Sequence, residues 1–277
     1  MTPTKLQEHI RLTYFSLRVG LGGLALVFPV LLVTYGYFIE RIPVQDSMSA
    51  YYFAFVPVES PLRVFPTRGF FVGILWAIGW FLILYRGFSN TENWLLNFAG
   101  LSAVGVAIFP MRAACTNCAS VDYSRLHYSF AVALFVFLAL VAWFCNNDSL
   151  RELEEEQAQK KLNKELSKLE LRPDHFRSLY RLLAVLMILA PAGAVGMTYF
   201  AGIYDWRTLV VEWVGIWVFS AYWLAKSYEL SLSRADEKAA MGEMSATEPA
   251  AKAYESVHQV SKSIRTGLTS KIAGLRK

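Results

Sequence analysis

Six long apolar runs, separated by segments that hold nearly all of the charges, constrain this chain more than any other feature of its sequence. A bilayer core about 30 Å thick is crossed by a helix of about 20 apolar residues. Lipid offers the backbone no hydrogen-bonding partner, so a crossing segment must be a helix or a strand of a closed barrel. Barrel strands alternate polar and apolar residues, and these runs do not alternate. The sequence therefore predicts an all-α integral membrane protein with a six-transmembrane-helix bundle, whose spans are residues 19–39, 69–85, 93–111, 128–145, 182–204 and 208–225.

The positions of the Lys and Arg residues predict the orientation of these spans. Cytoplasmic loops of membrane proteins carry an excess of both residue types. If both termini are cytoplasmic, six of the 27 Lys and Arg residues fall in outer segments, namely Arg41, Arg63, Arg68, Arg112, Arg125 and Arg207. We therefore expect both termini inside, in a multi-pass protein of the bacterial inner (cytoplasmic) membrane. The net charge of +5 reflects this asymmetry, and we expect no nucleic-acid partner.

The predicted bundle with its loops covers residues 19–228, and three polar segments flank or interrupt it. Residues 1–18 read as a cytoplasmic N-terminal amphipathic arm. Residues 149–172 contain a charged run and predict a cytoplasmic helix, in which Ser149 and Glu152 have the spacing of a capping box. This helix, from Arg151 to Leu171, is either a solvated extension of the fourth span or a short coiled-coil contact with a protein partner.

The cytoplasmic tail, residues 229–277, has a polar first part and a second part with apolar residues at intervals of three and four. That second part, residues 254–277, predicts a basic amphipathic helix. Such a helix binds the anionic inner leaflet of a membrane or an acidic protein partner.

The stretch DSMSAYY, residues 46–52, lies in the longest predicted outer loop and raises the question of a site. By the predicted orientation, side chains from several separate segments share this outer face. Glu212 is the most informative of them, because a carboxylate inside a span is costly unless it pairs or faces a cavity. We expect a polar rim at the outer end of the bundle that binds a ligand, built from Asp46, Ser49, Tyr52, Arg68, His127 and Glu212.

The same rim also contains the residue types of a catalytic site. Ser49, His127 and an acid, Asp46 or Asp122, are the residue types of a nucleophile, its base and the group that orients the base. Nothing in the sequence fixes the distances between them. Only His127 of the four histidines lies on the outer side, so no three histidines can meet to hold catalytic zinc. We expect no metal site and no cofactor.

Cys115 and Cys118 form a CxxC motif in the predicted outer loop between the third and fourth spans. The outside of a bacterial inner membrane is oxidising, which favours a disulfide that closes this loop. A thiol redox pair is the alternative, since the cation Arg112 is near in sequence and could stabilise a thiolate. The motif lacks the following histidine that covalent haem attachment requires.

A resemblance appears in SMSAYY, RGFFVGILWAIGWFLILYRG and NFAGLSAVGVAIFP, and in the helices of His127 and Glu212. These segments resemble uncharacterised bacterial multi-spanning inner-membrane proteins, which carry no assigned activity. A more distant likeness is to the CREST superfamily of membrane hydrolases, which includes alkaline ceramidases. That family holds zinc with a histidine four positions after a serine, and here Ser49 is followed by Phe53. The resemblance therefore implies a fold and not a zinc amidohydrolase.

Three functions remain open from the sequence. The first is a non-enzymatic membrane protein that binds a lipid headgroup, a small ligand or a partner at the outer rim. The second is a membrane-embedded hydrolase of a lipid-like substrate. The third is a structural or accessory subunit of a larger membrane complex. We expect membrane lipids to be partners in each case.

Overall fold

A computed structural model of the chain describes residues 3–53, 66–111, 122–162, 172–197, 202 and 206–241. All of its regular elements in these ranges are helical. The α-helices are α1 (Pro3–Tyr35), α2 (Pro66–Leu84), α3 (Asn90–Ile108), α4 (Ser124–Phe144), α5 (Asn147–Leu162), α6 (Pro173–Val195), α7 (Trp206–Ser233) and α8 (Ala235–Met241). A π-helical turn, Gly36–Glu40, extends α1, and a 3-10 turn covers Ser49–Tyr52.

Six of these helices form a closed ring in chain order. Helices α1, α2, α3, α4, α6 and α7 each pack against the next, and α7 packs against α1. Five of the six are long and apolar enough to cross a membrane, which makes a multi-pass membrane protein the natural reading of the fold. The exception is α3, which has 19 residues and lies between α2 and α4. A count of six spans therefore stays a prediction.

The ring has two ends, because successive helices run in opposite directions. At one end lie Arg18, Tyr85, Asn146, Tyr180 and Lys226, which hydrogen bonds and ring contacts join into one cluster; we call it the Arg18 end. At the other lie Glu40, Thr67, Phe109, His127 and Glu212, called the Glu212 end. Helices α5 and α8 pack at the Arg18 end, away from residues 46–52.

The helix boundaries differ from the predicted spans where charges are neutralised locally. The predicted fifth span begins at residue 182, but α6 begins at Pro173, and Arg177 pairs there with Asp174 and Glu154. The predicted sixth span ends at residue 225, but α7 continues to Ser233. Charged residues therefore end an apolar run without ending the helix that contains it.

The predicted N-terminal arm, residues 1–18, is not a separate element. Helix α1 is continuous from Pro3 to Tyr35, and the Arg18 side chain is 1% exposed. The structure brings Arg18 to an acidic partner from the other end of the chain, Asp236. Because Asp236 neutralises its charge, Arg18 is buried in the bundle instead of lying on an exposed arm.

The charged helix also differs from the prediction. Helix α5 begins at Asn147, so Ser149 and Glu152 lie inside it and form no capping box. Leu150 and Leu153 are buried, and α5 packs against α6 and α7 as part of the bundle. Residues 163–171 lie outside the described residues, as does the predicted amphipathic helix over residues 254–277.

Small residues set the closest contact between helices, at Gly79 of α2 and Gly100 of α3. A Cβ atom built on Gly100 would lie 2.5 Å from the Gly79 carbonyl oxygen and 2.7 Å from Cγ1 of Ile83. Such distances leave no room for a side chain. Backbones that approach this closely gain dispersion contacts, which replace the hydrophobic driving force that is missing between helices in lipid.

Candidate functional site

A backbone turn at Arg41 and hydrogen bonds to the Glu40 side chain position the segment that follows α1. Arg41 adopts a left-handed conformation with φ of 60°, which turns the chain sharply after the π-helical turn. The buried carboxylate of Glu40 accepts hydrogen bonds from the hydroxyl of Thr67 and, at 3.1 Å, from its N–H. These bonds satisfy a donor in the first turn of α2 that no carbonyl within the helix can reach. Glu40 therefore joins the end of the π-helical turn to the start of α2.

The DSMSAYY stretch forms a turn that hydrogen bonds and a buried tyrosine hold in place. Tyr51 is 1% exposed, and its ring packs against Gly36, where a Cβ atom would lie 3.1 Å from Cε1 of that ring. Its hydroxyl accepts a 3.4 Å hydrogen bond from the Gln45 N–H. Burial raises the pKa of the Tyr51 phenol, and the hydrogen bond from Gln45 opposes this effect. The hydroxyl of Ser47 accepts from the Ala50 N–H at 3.1 Å and closes the turn.

Glu212 joins this turn to α7. Its carboxylate accepts the Met48 N–H at 2.6 Å. The described residues provide no other hydrogen bond and no ion pair to Glu212. The hydrogen bond from Met48 therefore gives the acid in the apolar run of α7 a polar partner. Glu212 lines a cavity together with the turn that it holds.

The cavity lies inside the helix ring at the Glu212 end and has a volume of about 170 Å³. All six ring helices and residues 46–49 contribute to its wall. Most of the wall is apolar, with side chains such as Leu75, Ile78 and Leu138. The polar and charged side chains of the wall are Asp46, Ser47, Ser49, His127, Thr208 and Glu212, with the hydroxyl-bearing Tyr128 beside them.

Four of the six residues predicted for the rim line this cavity, namely Asp46, Ser49, His127 and Glu212. The other two, Tyr52 and Arg68, pair with each other outside its wall. Arg68 donates to the Tyr52 hydroxyl at 2.7 Å, and its guanidinium lies 4.1 Å from the centre of the Tyr52 ring. This pair is exposed, so Arg68 brings no positive charge into the cavity wall.

The geometry offers no assembled nucleophile. The Ser49 hydroxyl lies 3.5 Å from that of Ser47. The His127 ring nitrogen Nδ1 lies 2.8 Å from the Phe109 carbonyl oxygen, which can only accept, so Nδ1 carries the proton and donates. Within the described ranges no hydrogen bond joins Ser49, His127 and Asp46. Asp122 accepts from the Ser124 N–H at the start of α4.

Other predicted sites have a simpler outcome. Cys115 and Cys118 lie outside the described residues, so their pairing stays a prediction. The described cysteine, Cys145, is buried at the Arg18 end. In the part of the chain that the structure describes, no three His, Cys, Asp or Glu side chains come together as metal ligands.

A buried polar cluster at the Arg18 end was not predicted from the sequence. The Lys226 ammonium donates to Asn146 at 3.1 Å, to Ser149 at 2.5 Å and to Glu229 at 2.9 Å. Tyr180 donates its hydroxyl proton to the same Glu229 oxygen at 2.6 Å. Lys226 is 1% exposed and Glu229 is 0% exposed. Their spacing of three residues on one helix was the available signal, but both follow the apolar run and read as tail.

A second buried ion pair closes the same end. Arg18 donates through two nitrogens to the two carboxylate oxygens of Asp236, at 2.9 Å and 2.5 Å. It also reaches the Tyr85 hydroxyl at 3.5 Å. A planar guanidinium fits a carboxylate in this two-bond geometry. The pair fastens the start of α8 to α1, a contact between residues 218 positions apart in the chain.

Comparisons with known proteins show no family for this chain. No protein-family model matches the chain, and neither the curated proteins nor the solved structures contain a match. The likeness to uncharacterised inner-membrane proteins and to the CREST superfamily therefore stays a prediction from the sequence.

Proposed function

We propose that this protein is a multi-pass protein of the bacterial inner membrane that binds a small apolar or amphipathic molecule in the cavity, without converting it chemically. The observation that carries this proposal is the cavity itself. It lies inside the helix ring, its wall is mostly apolar, and its polar side chains include those of Asp46, Ser49, His127 and Glu212. An apolar pocket with a few polar groups is the usual form of a ligand site.

The volume sets the size of the ligand. A dry apolar cavity of about 150 Å³ holds a benzene-sized molecule. The cavity here, at about 170 Å³, is similar. Sites for drug-sized ligands are larger, at about 300 to 1,000 Å³. We therefore expect a compact molecule, or one compact part of a lipid, and not a bulky ring system.

The surrounding lipid decides which contacts give selectivity. A ligand from water gains about 0.8 kcal/mol for each buried CH₂ group. A ligand already dissolved in the bilayer gains much less, since lipid tails are as apolar as the cavity wall. Selectivity among membrane-dissolved molecules must then come from the polar side of the cavity, where Glu212 and Asp46 lie.

The orientation of the bundle is part of the proposal. Six helices span the membrane, the Arg18 end faces the cytoplasm, and the Glu212 end faces outward. The excess of Lys and Arg in segments at the Arg18 end supports this direction. The helix ring supports the count of six, because α3 runs the full distance between the two ends beside α2 and α4.

A hydrolase of a lipid-like substrate has less support. Its candidate nucleophile and base, Ser49 and His127, are hydrogen-bonded to Ser47 and to Phe109 instead of to each other. A general base must come within hydrogen-bond reach of the proton that it removes. The accessory-subunit alternative, with contacts through α5 or the tail, stays a prediction.

A cavity-filling variant tests the binding function. Ala131 lines the cavity, and Ala133 on the same helix does not, so Ala133→Phe is the matched control for Ala131→Phe. Three water-soluble probes share one compact shape: neutral neohexyl alcohol, cationic choline and anionic tert-butylacetate. Binding is measured by equilibrium dialysis of the full chain in lipid nanodiscs, with empty nanodiscs as the blank.

We expect at least one probe to bind saturably to the wild type and to Ala133→Phe, and Ala131→Phe to lose that binding. The proposal is wrong if none of the three probes saturates. It is also wrong if filling the cavity leaves the binding unchanged.

A further inference from the structure

The charge of the cavity wall is one-sided. Asp46 and Glu212 both contribute carboxylates, and no Lys or Arg side chain occurs among the described residues of the wall. Glu212 receives one hydrogen bond, from the Met48 N–H, and Asp46 receives none within the described ranges. The charged groups of the described wall are therefore two acids with few hydrogen-bond donors around them.

The aromatic side chains of the wall supply a second and independent feature. Phe28, Phe71, Phe135 and Phe219 come from four different helices, and Tyr128 adds a fifth ring. The face of an aromatic ring carries partial negative charge and attracts a cation within about 6 Å of its centre. Several rings around one cavity form the arrangement that binds quaternary ammonium groups.

We propose that the cavity is selective for a compact alkylammonium cation, either a free molecule or the head of a lipid. This rests on the binding function proposed above and specifies its ligand. The methyl or methylene groups of such a cation fill the apolar volume, and its charge is shared between the aromatic faces and the two carboxylates. A fully alkylated ammonium cation has no N–H group. It is attracted to Glu212 by its charge, and the hydrogen bond from the Met48 N–H to Glu212 remains in place.

Electrostatics in lipid makes the selectivity strong. A carboxylate inside a membrane protein is stabilised by pairing, and a cation that enters beside Glu212 supplies a pair. An anion of the same shape meets two like charges in a medium of low dielectric constant, where repulsion is many times stronger than in water. A neutral molecule gains the apolar contacts alone.

The three shape-matched probes test this order directly, with the full chain in phosphatidylglycerol nanodiscs. We expect the Kd of choline to be at least about tenfold lower than that of neohexyl alcohol, which is the difference that about 1.4 kcal/mol produces. We expect tert-butylacetate to show no saturable binding. Equal or tighter binding of the neutral or the anionic probe overturns the ammonium assignment and leaves the binding function standing. Failure of all three probes refutes both proposals.

Two charge-neutralising variants identify the groups responsible. Glu212→Gln keeps an oxygen acceptor for the Met48 N–H and removes the charge, and we expect it to raise the Kd of choline at least about tenfold. The Kd of neohexyl alcohol should change less than threefold. Glu155→Gln, on the exposed side of α5 at the other end, is the matched control and should bind choline like the wild type.

Asp46→Asn provides an independent measurement, because Asp46 is not needed to hold the turn. We expect a smaller loss of choline affinity than for Glu212→Gln, in the same direction. An unchanged choline affinity in both variants overturns the proposal.

The source of the cation is decided by lipid composition. If the natural ligand is a lipid head, phosphatidylcholine nanodiscs compete and raise the apparent Kd of free choline at least about tenfold above its value in phosphatidylglycerol. If the natural ligand is a free ammonium compound, the two lipids give the same Kd. Both results agree with ammonium recognition and differ in where the ligand comes from.

Discussion

Removal of the Lys226 ammonium provides the sharpest test of the buried cluster at the Arg18 end. In Lys226→Met, a flexible apolar side chain replaces the cation, and three hydrogen bonds are lost, to Asn146, Ser149 and Glu229. The Glu229 carboxylate is 0% exposed and keeps one donor, the Tyr180 hydroxyl. Its second oxygen already has no partner within the described residues.

The magnitude follows from leaving a charge buried without its partner. Breaking a buried ion pair by removing one member costs about 3–5 kcal/mol. Replacing both members with neutral groups costs far less, because no uncompensated charge remains. We therefore expect Lys226→Met to lose about 3–5 kcal/mol of unfolding free energy. The double variant with Glu229→Gln should recover most of this loss, since glutamine still accepts the Tyr180 hydroxyl.

The assay is reversible unfolding of the full chain in mixed micelles by sodium dodecyl sulfate, followed by tryptophan fluorescence. Arg151→Met is the matched control, because Arg151 and its partner Glu155 on α5 have side chains that are 68% and 55% exposed. An exposed pair of this kind contributes about 0–1 kcal/mol. Two results would refute the reasoning: a loss below about 1 kcal/mol in Lys226→Met, or losses that simply add in the double variant.

Two further predictions concern packing and the second ion pair. Gly100→Ala should destabilise the chain by about 1–3 kcal/mol, because its Cβ has no room beside Gly79. Gly73→Ala on exposed α2 surface should be neutral or stabilising, and thermal unfolding in detergent compares the two. Asp236→Asn leaves the buried Arg18 without its carboxylate, so we expect faster proteolytic cleavage after α7 than in wild type. Equal cleavage rates would show that the pair does not hold α8.

The positions of the helices were predictable because a segment that crosses lipid must be a helix of mostly apolar residues, and such segments are visible as apolar runs in the sequence. Their ends were not, because hydropathy counts a charge as polar whether or not it is paired. Lys226 ends the last apolar run, yet α7 continues for seven more residues because Glu229 and Asn146 neutralise and solvate it. Arg18 looked like a surface cation for the same reason, since its partner Asp236 lies far away in the sequence.

The candidate site was partly predictable for a topological reason. Residues that share one end of an antiparallel bundle must lie within a limited area, and Asp46, Ser49, His127 and Glu212 do so. Which side chains face inward depends on the local turn. The 3-10 turn buries Tyr51 and directs Tyr52 outward to Arg68, a choice that no periodicity in the sequence expresses.

The two buried ion pairs have a consequence for biosynthesis. Asn146, Ser149, Tyr180 and Arg18 all emerge from the ribosome before the residues of α7 and α8 that satisfy them. Until the last helix has been inserted, these earlier helices carry polar groups that lack their final partners. A chain that ends before Lys226 therefore leaves these four polar side chains without the partners that α7 and α8 supply, so this end of the bundle is complete only after both helices have been made.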